Sequence, residues 1–193
     1  MAFEIKERFS VAAPIDAVWQ FVMDPEQVVT CMPGATLDEV VDDRTFLGSV
    51  KVKLGAITTS YRGRVQLAEV DEAGRAVRMI AEGRETGGGT ARGSLSSSLR
   101  ALPDGQTEVV VEAKIDLTGR VVQVGRGMIQ GVSHQLFQQF AASTQERLAL
   151  PGGTPREILP TPPIRIVPLL FQTVRAAILR FVGRLLGRPD QER

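Results

Sequence analysis

The chain has 193 residues, of which 43% are hydrophobic and 23% are charged, values typical of a soluble globular protein with one main domain. The formal net charge is +1, so the composition gives no indication of nucleic-acid binding. A single cysteine, Cys31, excludes an intrachain disulfide framework and is consistent with a reducing compartment. We find neither a signal-peptide pattern nor an uncharged apolar run long enough to cross a membrane, and we expect a cytoplasmic protein.

The N-terminal part predicts one strand followed by two short helices. Apolar residues alternate with charged ones from residue 3 to 11, which is the period of a half-buried strand. Pro14 suits the start of a helix, in which we expect Trp19 to be a core residue. A shorter helix over residues 26–29 is predicted next, and the pair Pro33-Gly34 then marks a tight turn.

The segment from Thr36 to Leu117 is almost entirely strand-like. Its residues alternate with period two, and turn sequences such as Gly87-Gly88-Gly89 and Pro103-Asp104-Gly105 divide it. We predict six consecutive strands, which favour an antiparallel meander. Together with the N-terminal strand they predict a seven-stranded antiparallel sheet with one face to bury.

A long amphipathic helix is predicted from Leu117 to Leu150. Apolar residues recur there at three- and four-residue spacing, and His134 lies on the opposite, polar side. They are Val122, Gly125, Ile129, Val132, Leu136 and Phe140. A curved sheet wrapped around this helix buries both apolar surfaces. The prediction is an α+β helix-grip domain over residues 1–150, with an internal apolar pocket in which small residues such as Gly63 leave room.

Pocket-lining side chains are predicted on the sheet-facing side of the strands, on the helix, and in the loop that precedes the second strand. They are Tyr61, Met79, Leu95, Leu99, Met128, Val132, Leu136 and Met32. Tyr61, the only tyrosine, is a candidate hydrogen-bond donor, and methionines suit an adaptable pocket. Ordinary core packing explains the same residues equally well, and the leucines could close the pocket.

We predict no catalytic residue, no metal site and no covalently bound cofactor. His134 is the only histidine, and one histidine with one cysteine cannot form a usual zinc site. The sequence Gly87-Gly88-Gly89-Thr90 lacks the lysine of a phosphate-binding loop. Gly125-Arg126-Gly127 lacks the preceding strand and turn of a dinucleotide-binding fingerprint.

Five segments carry a resemblance to a known family. They are Cys31-Met32-Pro33-Gly34, Tyr61-Arg62-Gly63-Arg64-Val65, Ala81-Glu82-Gly83-Arg84, Thr118-Gly119-Arg120 and Val124-Gly125-Arg126-Gly127-Met128-Ile129. In this order, the pattern resembles the carbon-monoxide-dehydrogenase G-subunit family of the START-like (Bet v 1-type, SRPBCC) ligand-binding superfamily. The resemblance covers roughly residues 1–150. It implies an accessory protein for a molybdenum-containing hydroxylase or another redox enzyme, with a deep apolar cavity and no assigned catalytic residue.

The composition changes after residue 150. Residues 151–163 are proline-rich and predict an extended linker. Residues 164–193 carry six arginines against Asp190 and Glu192, a local net charge of +4, and predict an amphipathic helix suited to a membrane surface. The predicted membrane-binding residues are Phe171, Val174, Arg175, Ile178, Arg180, Phe181, Val182, Arg184, Leu185 and Arg188. Docking of this helix on a protein is the alternative.

Three functional hypotheses follow. The first is a non-enzymatic carrier that binds a lipophilic small molecule, best an isoprenoid quinone (menaquinone or ubiquinone), and moves it between the cytoplasmic membrane surface and a redox enzyme. Tyr61 would then donate a hydrogen bond to a ring carbonyl. The second is a membrane adaptor that recruits such an enzyme and binds no ligand. The third is an enzyme of the cyclase or hydratase type, which needs a polar, titratable pocket, whereas the inward positions predicted here are nearly all apolar.

Overall fold

A computed structural model of the chain describes residues 1–149, so the predicted linker 151–163 and the predicted membrane-binding residues in 164–193 lie outside the described residues. The strands are β1 (Ala2–Val11), β2 (Ala35–Asp42), β3 (Thr45–Leu54), β4 (Ile57–Asp71), β5 (Ala76–Glu85), β6 (Thr90–Ala101) and β7 (Thr107–Leu117). The helices are α1 (Ile15–Met23), α2 (Pro25–Cys31), a 3-10 helix (Arg120–Val124) and α3 (Arg126–Leu148). Within the described range, no helix is long and apolar enough to span a bilayer.

The seven strands form one curved antiparallel sheet in the order β1-β7-β6-β5-β4-β3-β2. Strands β2 to β7 are consecutive hairpins, and β1 pairs with β7 in the register Phe3↔Ile115. This confirms the predicted helix-grip fold. We call the face that packs against the helices the inner face, and it carries buried residues such as Leu67 and Val109.

Helices α1 and α2 close one end of the sheet because of a local capping arrangement. The Asp24 carboxylate accepts hydrogen bonds from the backbone N–H groups of Glu26 and Gln27, at 3.0 and 3.1 Å, and Pro25 occupies the first turn of α2. An aspartate cap followed by proline starts a helix efficiently. Trp19 of α1 is buried in the core as predicted, and the Arg75 guanidinium lies 5.6 Å from its ring centroid.

The last helix is shorter than the predicted span from Leu117 to Leu150, so that boundary is wrong. Leu117 ends β7, the 3-10 helix follows, and α3 begins only at Arg126. Gly119 and Gly125 bracket the 3-10 helix with φ angles of +87° and +86°. These are left-handed conformations that interrupt an α-helix and that glycine adopts at low cost. The three- and four-residue spacing of Val122 and Gly125 therefore belongs to a separate turn.

Helix α3 packs chiefly along β1, at one edge of the sheet. The ring of Phe9 makes edge-on contacts with Phe137 and Phe140, with centroids 5.5 and 6.1 Å apart, a favourable geometry for aromatic pairs. His134 is 58% exposed, in keeping with the predicted polar side, but its Nδ1 lies 2.6 Å from the Glu7 carboxylate of β1. The polar side of α3 is therefore partly a docking surface.

Candidate ligand-binding site

The inner face carries two separate apolar clusters. One lies under α1 and includes Val18, Trp19 and Leu99. The other lies under the 3-10 helix and the start of α3, and includes Val121 and Ile129. Between the clusters, strand pairing places a strip of small residues across the sheet, which we call the inner trough. It consists of Gly48, Gly63, Gly83, Ala81, Ala91 and Gly93.

The inner trough stays wide because its residues lack bulk. A Cβ atom on Gly63 would come within 2.7 Å of the Gly83 Cα atom and would also meet the Glu82 carbonyl, so the strands approach too closely there for any other residue. Ala81 is exposed although it lies on the inner face, and Met79 and Leu95 are only half-buried. The inner trough is thus a concave, apolar surface that the described residues do not fill.

Three polar side chains stand at one end of the inner trough, and we call them the buried polar cluster: Thr59, Tyr61 and Glu85. Tyr61 and Glu85 are direct cross-strand neighbours on β4 and β5, and Thr59 lies two residues from Tyr61 on the same face. The Thr59 hydroxyl, the Tyr61 hydroxyl and the Glu85 Oε2 atom are all buried without a hydrogen-bond partner. Each such atom costs about 1–3 kcal/mol of stability unless a bound group satisfies it.

Glu85 is the most enclosed member of the cluster. Its side chain is 3% exposed, and the nearest cation is the Arg120 guanidinium, whose Nη2 lies 3.8 Å from Oε1. That distance allows electrostatic attraction but is too long for a hydrogen bond. The carboxylate therefore has hydrogen-bonding capacity directed into an apolar surface.

Two glycines explain how the Glu85 carboxylate is enclosed. Gly89, in the turn between β5 and β6, crosses Gly119, which follows β7, and a Cβ on Gly119 would lie 2.5 Å from the Gly89 Cα atom. The backbones touch at this point, which we call the glycine crossing. Hydrogen bonds from Thr90 and Thr118 flank it. The crossing seals one end of the inner trough beside Glu85.

Burial raises the pKa of the Tyr61 phenol above its ordinary value. The Thr59 hydroxyl acts in the opposite direction, and the nearby Glu85 carboxylate raises the pKa further. Thr59 is close enough to influence the phenol, yet both hydroxyl oxygens lack a partner at hydrogen-bond geometry. The phenol is therefore neutral and can donate a hydrogen bond.

The buried polar cluster also brings together segments that are distant in the sequence. The segment 61–65 contributes Tyr61, the segment 81–84 leads directly into Glu85, and the segment 118–120 supplies Gly119 and Arg120. Three of the five segments that carry the family resemblance thus meet at one place. A physical reason for their occurrence together is the construction of this enclosed end.

The predicted pocket residues fall into three groups. Tyr61, Met79 and Leu95 line the inner face at half-buried positions. Leu99 and Val132 are fully packed in the two apolar clusters, and Leu136 is packed against the second of them. Met32, at the end of α2, is 46% exposed, and Met128, in the first turn of α3, is 44% exposed. The Met128 thioether lies beside Gly55 and forms part of the rim near the buried polar cluster.

Glu85 was not among the predicted pocket residues, and Thr59 was not singled out. The signal was present, because Val77, Met79 and Ala81 alternate in step with Glu85 along β5. Alternation alone therefore places an acidic side chain on the inner face. The prediction that the inward positions are nearly all apolar needs this correction.

A second depression lies on the outer face of the sheet. It is a groove of about 540 Å³, and Glu69, Arg78, Ser96 and Glu112 are among its lining residues. Arg78 and Glu69 form an ion pair of 2.9 Å there. The groove is open and polar, which does not suit a lipophilic ligand. Among residues 1–149, no group of three histidine, cysteine or carboxylate side chains is arranged to hold a metal ion.

Comparison with known proteins was made by sequence and by structure. Curated protein sequences give no match. The sequence model of a family described as the carbon monoxide dehydrogenase G subunit (CoxG) matches residues 8–149.

Several solved structures share the fold at low sequence identity. A conserved protein from Geobacillus kaustophilus is 18% identical, with 76% of this chain and 95% of that chain covered and a TM-score of 0.70. The Zhui aromatase/cyclase from Streptomyces sp. R1128 is 16% identical, with 80% and 100% covered and a TM-score of 0.56. A START superfamily protein from Mycobacterium smegmatis is 12% identical, with 76% and 97% covered and a TM-score of 0.52. The fold is START-like and is consistent with binding a hydrophobic ligand.

Proposed function

The chain belongs to the CoxG family of carbon monoxide dehydrogenase, and from this premise we propose that it is a non-enzymatic carrier of a lipophilic small molecule. The proposed ligand is an isoprenoid quinone, menaquinone or ubiquinone. The protein carries it between the cytoplasmic membrane and a redox enzyme of the carbon monoxide dehydrogenase type, such as a molybdenum-containing hydroxylase.

The observation that carries this proposal is the inner trough. Its small residues expose a concave apolar surface, with half-buried Met79 and Leu95 beside it and polar groups at only one end. A mostly apolar cavity with a few convergent polar groups is the usual form of a site for a lipophile with one polar end. An isoprenoid quinone has that form, because a ring with two oxygens is joined to a long apolar tail.

The membrane part of the proposal depends on the amino-acid sequence alone. Residues 164–193 carry a net charge of +4 and alternate arginines with large apolar residues. A basic amphipathic segment binds anionic membrane surfaces. Such a segment would place the carrier where the quinone pool is located.

Mass spectrometry of an organic extract tests the proposal. The full chain is purified natively from its own host, alongside the variant Gly83→Leu. A Cβ on Gly83 meets nothing closer than 3.6 Å, so leucine fits the fold but fills the inner trough. We expect a stoichiometric prenylated quinone with the wild type and loss of most of it with Gly83→Leu. Ser96→Leu, an exposed outer-face change on β6, is the matched control and should retain the quinone.

An extract without lipid or quinone would contradict the carrier function. In that case the adaptor alternative predicts that deletion of residues 164–193 releases the partner enzyme from membranes. The two functions are thus separated by one extraction and one fractionation experiment.

The buried polar cluster favours one second candidate, an enzyme of the cyclase or hydratase type, because it supplies a titratable carboxylate and a phenol in an apolar enclosure. A carrier returns its ligand unchanged. Incubation of the purified chain with the extracted ligand, followed by mass spectrometry, distinguishes them, since an enzyme would produce a new mass or an isomer.

A further inference from the structure

We propose that the buried polar cluster holds the polar end of the bound lipophile and selects a ligand that presents a hydroxyl group there. This inference rests on the proposed function, because it takes the ligand to be a lipophile in the inner trough. It adds the chemistry of the group that is recognised, and hence the redox form of a quinone that is bound more tightly.

The geometry leaves the Glu85 carboxylate ready to accept a hydrogen bond. Its Oε2 has no partner among the described residues, and its Oε1 is 3.8 Å from the Arg120 guanidinium. The side chain is 3% exposed, so bulk water does not reach it freely. A bound molecule is the partner that the enclosure favours.

The chemistry of the cluster decides what that partner must be. A carboxylate only accepts hydrogen bonds, whereas the Tyr61 and Thr59 hydroxyls both donate and accept. A ligand hydroxyl can donate to Glu85 and accept from Tyr61 through the same oxygen atom. A ligand carbonyl cannot donate, so it would leave Glu85 unsatisfied and would place two acceptor oxygens against each other.

For an isoprenoid quinone, this requirement separates the two redox forms. The hydroquinone carries ring hydroxyls, and the oxidised quinone carries carbonyls. A hydrogen bond to an ionised group is stronger than one between neutral groups. The cluster therefore favours the hydroquinone, whereas a site made of neutral donors alone would favour the quinone.

Two matched pairs of probes test this with the full-length chain. The first pair is 2-naphthol and 2-methoxynaphthalene, which differ in the hydroxyl donor. The second pair is a singly prenylated naphthoquinone and its hydroquinone, measured without oxygen. Isothermal titration calorimetry gives each dissociation constant. We expect the wild type to bind the hydroxyl-bearing member of each pair about tenfold more tightly, or better.

The variant Glu85→Gln keeps the shape of the side chain and replaces an acceptor oxygen with a donor. We expect it to lose the preference in both pairs. Glu82→Gln, an exposed outer-face change on the same strand, is the control and should keep it. Thermal melting establishes that each variant is folded, and Tyr61→Phe, which removes the phenol, replaces Glu85→Gln in the test if that variant does not fold.

The outcomes separate the inference from the proposed function. Equal binding within both pairs by the wild type, or an unchanged preference in Glu85→Gln, overturns the inference and leaves the carrier function standing. Preference for 2-naphthol that Glu85→Gln abolishes, with no binding of either quinone form, supports the inference and overturns the choice of a quinone as ligand.

Discussion

Tyr61 and Glu85 show how single side chains give the inner face its chemistry. They are paired across β4 and β5 on a face that is otherwise apolar. An unsatisfied buried polar group lowers stability, so their positions are not explained by core packing. The arrangement is explained if both groups contact a ligand.

The Tyr61 phenol provides a direct test at the residue scale. Its pKa is raised above its ordinary value near 10 by burial and by the Glu85 charge. Because Tyr61 is the only tyrosine, the near-ultraviolet absorbance of phenolate reports this residue alone. We expect a titration midpoint above that of the urea-unfolded chain, and a lower midpoint in Glu85→Gln than in the wild type.

The same shift has a consequence for stability. A group with a raised pKa in the folded state contributes stability that is present below the unfolded pKa and is lost as the pH rises through the folded pKa. The melting temperature of the wild type should therefore fall more steeply above pH ~10 than that of Tyr61→Phe. Parallel curves for the two proteins would show that the phenol titrates as if exposed.

At the scale of elements, the glycine crossing joins the turn after β5 to the segment after β7. Two backbones can touch there only because neither residue has a side chain. The crossing holds Arg120 near Glu85 and ends β7 before the 3-10 helix begins. It therefore determines both the closed end of the inner trough and the starting point of α3.

The variant Gly119→Ala should lower the free energy of unfolding for two reasons. Gly119 has a φ of +87°, and its Cβ would lie 2.5 Å from the Gly89 Cα atom. Gly105→Ala is the matched control, because it has a φ of +78° but nothing within 4 Å of its Cβ. In urea denaturation we expect a loss of about 1–2 kcal/mol for Gly105→Ala and a larger loss for Gly119→Ala. Equal losses would mean that the close contact carries no weight.

At the scale of the molecule, the ligand site and the predicted membrane site belong to different parts of the chain. The inner trough lies within residues 1–149, where the two apolar clusters and α3 frame it. The basic segment 164–193 is separated from it by the proline-rich residues 151–163. A separate anchor on an extended linker suits a domain that must load at a membrane and unload elsewhere.

Vesicle flotation tests this division. The full chain should bind vesicles that contain anionic phospholipid, and replacement of Arg175, Arg180, Arg184 and Arg188 by glutamine should weaken binding on the order of 10³-fold, at ~1 kcal/mol for each arginine. Added salt should have the same effect on the wild type. Gly83→Leu, which changes only the inner trough, should float like the wild type.

The amino-acid sequence by itself determined the class of fold. Strict alternation from Thr36 to Leu117, separated by glycine and proline turns, was sufficient to predict the strands and their antiparallel order. That succeeds because the period of a strand and the chemistry of a turn are local properties. The family resemblance also depended on short local segments, and the family match over residues 8–149 agrees with it.

Only the tertiary structure decided where the last helix begins and which polar groups meet. The spacing of Val122 and Gly125 looks helical, but the left-handed φ of Gly125 is not visible in a sequence pattern. Glu85, Tyr61 and Arg120 come from three segments, and strand register together with the glycine crossing brings them to one end of the inner trough. Register and backbone contact are long-range properties, and for that reason the polar end of the site became apparent only in the folded chain.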